Sequence, residues 1–380
     1  MKLGGTQRFL GTDIKTTNKG YEMSSKKELL DSIFQDLGFR EATRTLSLPC
    51  IKEPTTPDAA VLEPYEDPAF LRSIVGRLLY IGQLRPDMQY GIKEAARHFT
   101  APTVWSFIAA VRLPLYLLGT RDYVMKLEPN DKQQLVVYAD SDWAAQKETR
   151  RSTSVIPVLH AGCVVQNLSR THGTAAGSSG EAELYATGSG ATDALGAASI
   201  LADLGVRLTP VLYSDASAGI SSARRQGFGK ARHIELKYLM VQGWVAEQRL
   251  YVRKEKTEKN PADILTKAVD TATLLRHLET CGLVNKKTSS IHVLEIVASV
   301  SADTVGISIA VGIGIVTAGA FCATRRWREN VPATTSTSEL ARADAFEVGT
   351  QSQTTYTRDS KLPRFKPLAE SQQGVCREYL

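Results

Sequence analysis

Two hydrophobic rhythms divide the chain. Over residues 26–39 (KKELLDSIFQDLGF), Leu29, Leu30, Ile33, Phe34 and Leu37 recur at helical spacing and share one face. Residues 70–80 (FLRSIVGRLLY) and 104–118 repeat the helical pattern. Pro114 is expected to kink or end the latter, because proline removes a backbone donor. Between the 26–39 and 70–80 segments, Pro49, Pro54, Pro57, Pro64 and Pro68 mark residues 49–68 as an extended connector. From residue 132 the rhythm shortens. Residues 134–139 (QLVVYA), 153–160 and 163–168 read as strands, with 160–162 as a turn. Residues 181–204 then form a long Ala- and Gly-rich helix. Ser178 and Glu181 spell its capping box and Gly205 its stop. A strand at 210–214, helices at 216–225 and 233–248, and a strand at 250–253 follow. Asn260-Pro261 then gives an N-cap with proline behind it. This succession predicts an α/β domain with a mixed sheet and flanking helices.

Composition narrows the picture. In 380 residues, 43% hydrophobic and 23% charged, wholesale disorder, collagen and a polytopic membrane protein are excluded. Five scattered cysteines without a CxxC pair argue against a disulfide framework or a structural zinc site. They point to a reducing compartment, so an intracellular location, cytoplasmic or nuclear, is expected. The first fifteen residues lack the apolar core of a signal peptide. Residues 304–324 carry no charge, and Arg325, Trp327 and Arg328 follow. They are a candidate transmembrane helix and thus a candidate membrane contact. Residues 286–303 read as a linker, and 325–380 as a basic flank and disordered tail. The net charge of +6 says little by itself, but its excess is local. Arg224, Arg225, Lys230, Arg232, His233 and Lys237 cluster with Glu235 as the one acid among them. They are candidate contacts to a phosphate backbone.

The candidate chemistry lies in four acids. Asp140 ends the first strand, Glu183 sits in the long helix, Asp215 ends the fourth strand, and Asp263 opens the last helix. Strand ends and helix starts can converge at one sheet edge. Four carboxylates there would repel one another unless hard cations such as Mg²⁺ neutralised them. Two such ions about 4 Å apart suit phosphoryl chemistry. Each acid alone also reads as a turn, cap or macrodipole residue.

The motifs sharpen this. YADSDW at 138–143, RRSTS at 150–154, SSGEAE at 178–183, YSD at 213–215, RHIE at 232–235 and ADILTK at 262–267 stand in one order. Together they resemble the ribonuclease H domain of Copia-type long-terminal-repeat retrotransposon Pol polyproteins. FLG at 9–11, VGRLLY at 75–80, RPD at 85–87 and YLLGT at 116–120 resemble the end of the reverse transcriptase in the same polyproteins. The resemblance implies an RNase H-like five-stranded mixed sheet over residues 128–285. A mostly helical reverse-transcriptase C-terminal and connection remnant over 1–127 would precede it. It implies that Asp140, Glu183, Asp215 and Asp263 are catalytic and hold two Mg²⁺ ions, with Mn²⁺ as a substitute. Asp142 and Glu181 would be their neighbours and the fallback ligands. The implied substrate is an RNA–DNA hybrid or other nucleic acid, cut in its RNA strand. No aromatic-x-Asp-Asp polymerase motif occurs, so any polymerase partner is expected in trans. Departures are Gly180 before Glu-Ala-Glu, Ala216 after the third acid, and a histidine-free loop at 254–259. They keep open an alternative, a decayed nucleic-acid-binding or structural remnant.

Overall fold

The computed structural model describes residues 4–52, 58–146, 149–227 and 236–286. Lys230, Arg232 and His233, the 304–324 stretch and the tail lie outside them. Among the described residues no helix is long and apolar enough to cross a membrane.

The first stretch opens with strands β1 (Thr6–Phe9), β2 (Thr12–Thr16) and β3 (Tyr21–Ser25), an antiparallel meander. The β1–β2 turn is tight because Leu10 and Gly11 both take positive φ, +46° and +74°. These strands are short and polar, and helical periodicity alone did not predict them. Helices α1 (Lys27–Asp36), α2 (Ala59–Leu62), α3 (Pro68–Ile81), α4 (Gln89–Arg97) and α5 (Val104–Gly119) follow, then strand β4 (Tyr123–Leu127). Asp67 accepts from the Phe70 N–H at 2.9 Å and Pro68 takes the first position of α3, so the start is set locally. Thr103 and Ser106 form a reciprocal capping box on α5. Pro114 lies inside α5 and does not end it. Nearly every residue around it is buried, and packing outweighs the lost hydrogen bond.

The second stretch supplies β5 (Leu135–Tyr138), β6 (Asp140–Ser141), β7 (Arg151–Val155), β8 (Val158–His160), β9 (Cys163–Gln166) and β10 (Ser169–Ala175). Helix α6 (Ser179–Asp203), strand β11 (Val211–Ser214), helices α7 (Ser217–Arg224) and α8 (Leu236–Ala246), and strand β12 (Tyr251–Lys254) follow. Helices α9 (Asp263–Thr266) and α10 (Thr271–Leu278) and strand β13 (Leu283–Asn285) complete it. The sheet runs β12-β11-β5-β8-β9, with β11 parallel to both β5 and β12 and the other pairs antiparallel. A second ladder, β10-β7-β6, continues the same three chain paths past short breaks. One break is at Ile156-Pro157, where proline has no N–H. Its carbonyl still accepts from the Tyr138 N–H at 3.1 Å. Ala161 and Gly162, φ +50° and +81°, make the two-residue turn between β8 and β9.

Parallel β5, β11 and β12 end at one edge, which puts Asp140 and Asp215 side by side. Helix α6 crosses the sheet closely. A Cβ on Gly190 would stand 3.0 Å from Leu212 Cδ1 and 3.3 Å from the Ala139 Cβ, so glycine is what permits this approach. Leu135, Val137, Ala139, Ala186, Ala194 and Leu212 form the core between them. A larger core joins both stretches: Leu78, Ile92, Leu113 and Tyr116 pack with Ile264, Leu265 and Leu278. Strand β13 also returns to pair with β4, Leu283 opposite Met125. Packing is therefore continuous across residue 127. At that junction Arg85 and Asp87 form a buried ion pair at 2.7 Å. Tyr116 donates to Asp87 at 2.6 Å, and Arg85 donates to the Thr120 hydroxyl at 2.6 Å.

Candidate active site

Three of the four acids meet. Asp140, Glu183 and Asp215 each offer a carboxylate oxygen within 4.8 Å of the other two. Asp140 starts β6, opposite Val155 of β7, and is 6% exposed. Glu183 is in the second turn of α6. That helix is placed by Ser178, whose hydroxyl accepts from the Glu181 N–H at 3.2 Å. Asp215 follows β11 directly, as expected for a residue at the carboxyl end of a parallel strand.

Each carboxylate is held differently. The Thr266 hydroxyl donates to Asp140 Oδ2 at 2.8 Å, and the Thr257 hydroxyl donates to Asp215 Oδ2 at 2.8 Å. Glu183 Oε2 is buried and has no hydrogen-bond partner among the described residues. Burial pushes Asp140 up to about 7, with Asp263 and Asp215 adding to the rise while Thr266 and Lys267 oppose it. Burial, then the charges of Asp140 and Asp215, push Glu183 up to about 8, while hydrogen bonding from Ser141 opposes the rise. Three carboxylates at this spacing, one of them with an orphaned buried oxygen, fit a hard divalent cation such as Mg²⁺ or Mn²⁺.

Asp263 stands beside this group and not within it. Its Oδ1 accepts from Lys267 Nζ at 2.7 Å, four residues along the same chain segment. The fallback acids are occupied elsewhere. Asp142 accepts from the Thr153 N–H and so ties the β6 end to β7. Glu181 accepts from the Gly177 N–H at 3.0 Å and from the Tyr185 hydroxyl.

Known proteins match this chain. Over 267 residues it is 28% identical to the "Retrovirus-related Pol polyprotein from transposon RE1" of Arabidopsis thaliana, covering 68% of this chain. The corresponding polyprotein from transposon RE2 is also 28% identical, over 266 residues and 68% of this chain. The chain is homologous to Pol polyproteins of Copia-type transposons. It spans 18% of the length of either polyprotein. No protein-family model matches. Among solved structures, LC11-RNase H1 isolated from compost aligns with 37% of this chain and 99% of its own. The TM-score is 0.29 and the identity 17%. The mixed five-stranded sheet, with the long helix between its antiparallel and parallel parts, agrees with the RNase H-like α/β fold that the motifs imply.

The basic cluster is described only in part. Arg224 is exposed, and its Nη2 donates to the Val252 carbonyl at 2.6 Å, tying α7 to β12. Arg225 is exposed, and Lys237 falls on α8. Lys254, Lys256 and Lys259 are exposed around the loop that carries Thr257, which also holds Glu255 and Glu258. Trp143, for which core packing is the ordinary expectation, is instead 56% exposed. Its Nε1–H donates to the Ala176 carbonyl at 3.3 Å. Ala144 behind it takes φ +52°, turning the chain outward just after the acidic strand. Trp244 does pack against the sheet core. Sequence reasoning missed Thr257, Thr266 and Lys267 as site residues. The signal was present for the last two, which belong to the ADILTK motif. Thr257 carries none, because only the fold of its loop brings it to Asp215.

Proposed function

We propose that this chain carries a ribonuclease H activity, a divalent-cation-dependent hydrolase that cleaves the RNA strand of an RNA–DNA hybrid. The observation that carries the reading is the Asp140–Glu183–Asp215 group with its orphaned Glu183 oxygen. Homology to Pol polyproteins supports the substrate class. Asp140, Glu183 and Asp215 would hold Mg²⁺ or Mn²⁺, and Asp263 would complete the set for a second ion. When bound, such ions supply an activated water and stabilise the leaving oxygen of the phosphodiester.

The chain's own residues account for the rest. Thr266 and Thr257 each occupy one carboxylate oxygen, which fixes the rotamers of Asp140 and Asp215 and leaves their second oxygens for the cation. Asp140 and Glu183, with raised proton affinities, hold protons near neutral pH when no cation is present, so cation uptake releases protons from these two groups. Arg224, Arg225 and the lysines of the 254–259 loop would grip phosphates without reading sequence. Trp143 offers an exposed indole face on which a sugar or base can rest.

The test uses the full chain on a labelled RNA–DNA hybrid with Mg²⁺ or Mn²⁺. RNA-strand cleavage is expected, with the DNA strand intact and at least a roughly hundredfold loss in Asp140→Asn and Glu183→Gln. Absence of cleavage with either ion, or equal cleavage by the variants, would refute the reading.

A further inference from the structure

The fourth acid of the set is already paired, and its partner is a cation the protein supplies. Lys267 lies just after the four-residue helix α9 that begins with Asp263. Its Nζ is 2.7 Å from Asp263 Oδ1. The two side chains differ in freedom. Asp263 is 12% exposed and fixed among Ile264, Leu265 and Thr266, all buried. The Lys267 side chain is 53% exposed, so its four-carbon stem can swing the ammonium into water without unpacking anything. Asp140 and Asp215 also attract the Lys267 ammonium, which places it in the field of the whole acidic group.

We infer that Lys267 is a resident stand-in for the second divalent cation, holding Asp263 apart from the other three acids until an incoming ion displaces it. The inference rests on the reading of Asp140, Glu183 and Asp215 as a divalent-cation site. The first ion enters that triad without displacing a side-chain cation, because no lysine or arginine forms an ion pair with those three acids among the described residues. The second ion must replace a half-exposed ion pair. Such a pair is individually weak, so displacement is affordable to a divalent cation with several carboxylates to bind. The result is a site that fills in two unequal steps. Between fillings, Lys267 prevents an uncompensated fourth carboxylate.

The test is titration of the chelator-stripped full chain with Mn²⁺ alone, free ion being read by electron paramagnetic resonance and heat by calorimetry. Circular dichroism checks that each variant is folded. Wild type is expected to bind one ion tightly and one more weakly. Lys267→Met removes the competing charge and keeps the stem. It is expected to tighten the weaker step about five- to tenfold, the effect of an ion pair near the upper end of the half-exposed range. Lys267→Arg, which keeps the charge, is expected to resemble wild type. Asp263→Asn is expected to lose the weaker step and keep the tight one. An unchanged weaker step in Lys267→Met would overturn the inference and leave the triad reading intact. So would both steps surviving in Asp263→Asn, or a single ion in wild type and Lys267→Met alike. No Mn²⁺ binding by wild type would overturn the triad reading itself, and this inference with it.

Discussion

Replacing Asp140 by asparagine should stabilise the cation-free protein while destroying its cation site. Asp140 is 6% exposed, and burial lifts its pKa from 3.8 to about 7. The folded chain thus binds this proton more tightly than the unfolded chain does. The stability linked to the group is complete below pH 3.8, falls as pH rises towards 7, and is lost above that. At about 1.4 kcal/mol per pH unit, a rise from 3.8 to about 7 caps the penalty at roughly 4 kcal/mol. Asparagine keeps the shape and can still accept from the Thr266 hydroxyl, but its amide must be desolvated in turn. A net gain of about 2 kcal/mol at pH 8 is expected, a rise in Tm of roughly 4–8 °C. Thermal unfolding in chelator, followed by circular dichroism at pH 8 and pH 4, measures it. The gain should vanish at pH 4. Added Mg²⁺ should raise the Tm of wild type and leave the variant unmoved. A variant no more stable than wild type at pH 8, or equally stabilised at both pH values, would refute the argument.

Three further outcomes are expected. Arg85→Ala leaves Asp87 buried without its counter-charge and should cost about 3–5 kcal/mol in urea unfolding, with both stretches of the chain melting together because they share one core. Gly196→Ala should stabilise by up to about 1 kcal/mol, since nothing lies within 4 Å of the added methyl. Gly190→Ala should destabilise, because Leu212 and Ala139 block that methyl, and chemical denaturation of the pair separates propensity from packing. Trp143→Ala should weaken binding of a hybrid by roughly five- to a hundredfold, read by fluorescence anisotropy in non-catalytic Ca²⁺, with Tm changed by less than about 2 °C. Unaltered hybrid affinity would show that the exposed indole has no contact with nucleic acid.

Much of the local structure was legible from residues a few positions apart. Ser178 places the start of α6, and Gly205, at φ +86°, places its end. The heptad-like spacing of Leu29 to Leu37 locates α1, and β-rich runs locate β5, β8 and β11. Such signals survive without tertiary context because capping, turns and amphipathic spacing are short-range. The β1–β3 meander escaped because its strands are four or five residues of mostly polar sequence, and their stability comes from pairing with β4, a hundred residues away. Pro114 misled in the same way, since burial of α5 on nearly every side overrode a local breaker.

The order and identity of the four acids were determined by the sequence itself. Which of them meet was decided by the tertiary structure. Asp140 and Asp215 converge because β11 runs parallel to β5, and Glu183 joins them because Gly190 lets α6 lie close on the sheet. A one-residue slip in either register would turn an acid to the opposite face, and no local pattern encodes that register. Asp263, equal to the others in sequence, differs in space: it stands outside the triad and pairs with Lys267. The outward turn of Trp143 and the reach of Thr257 to Asp215 belong to the same class, being contacts between segments that only the packed core brings together.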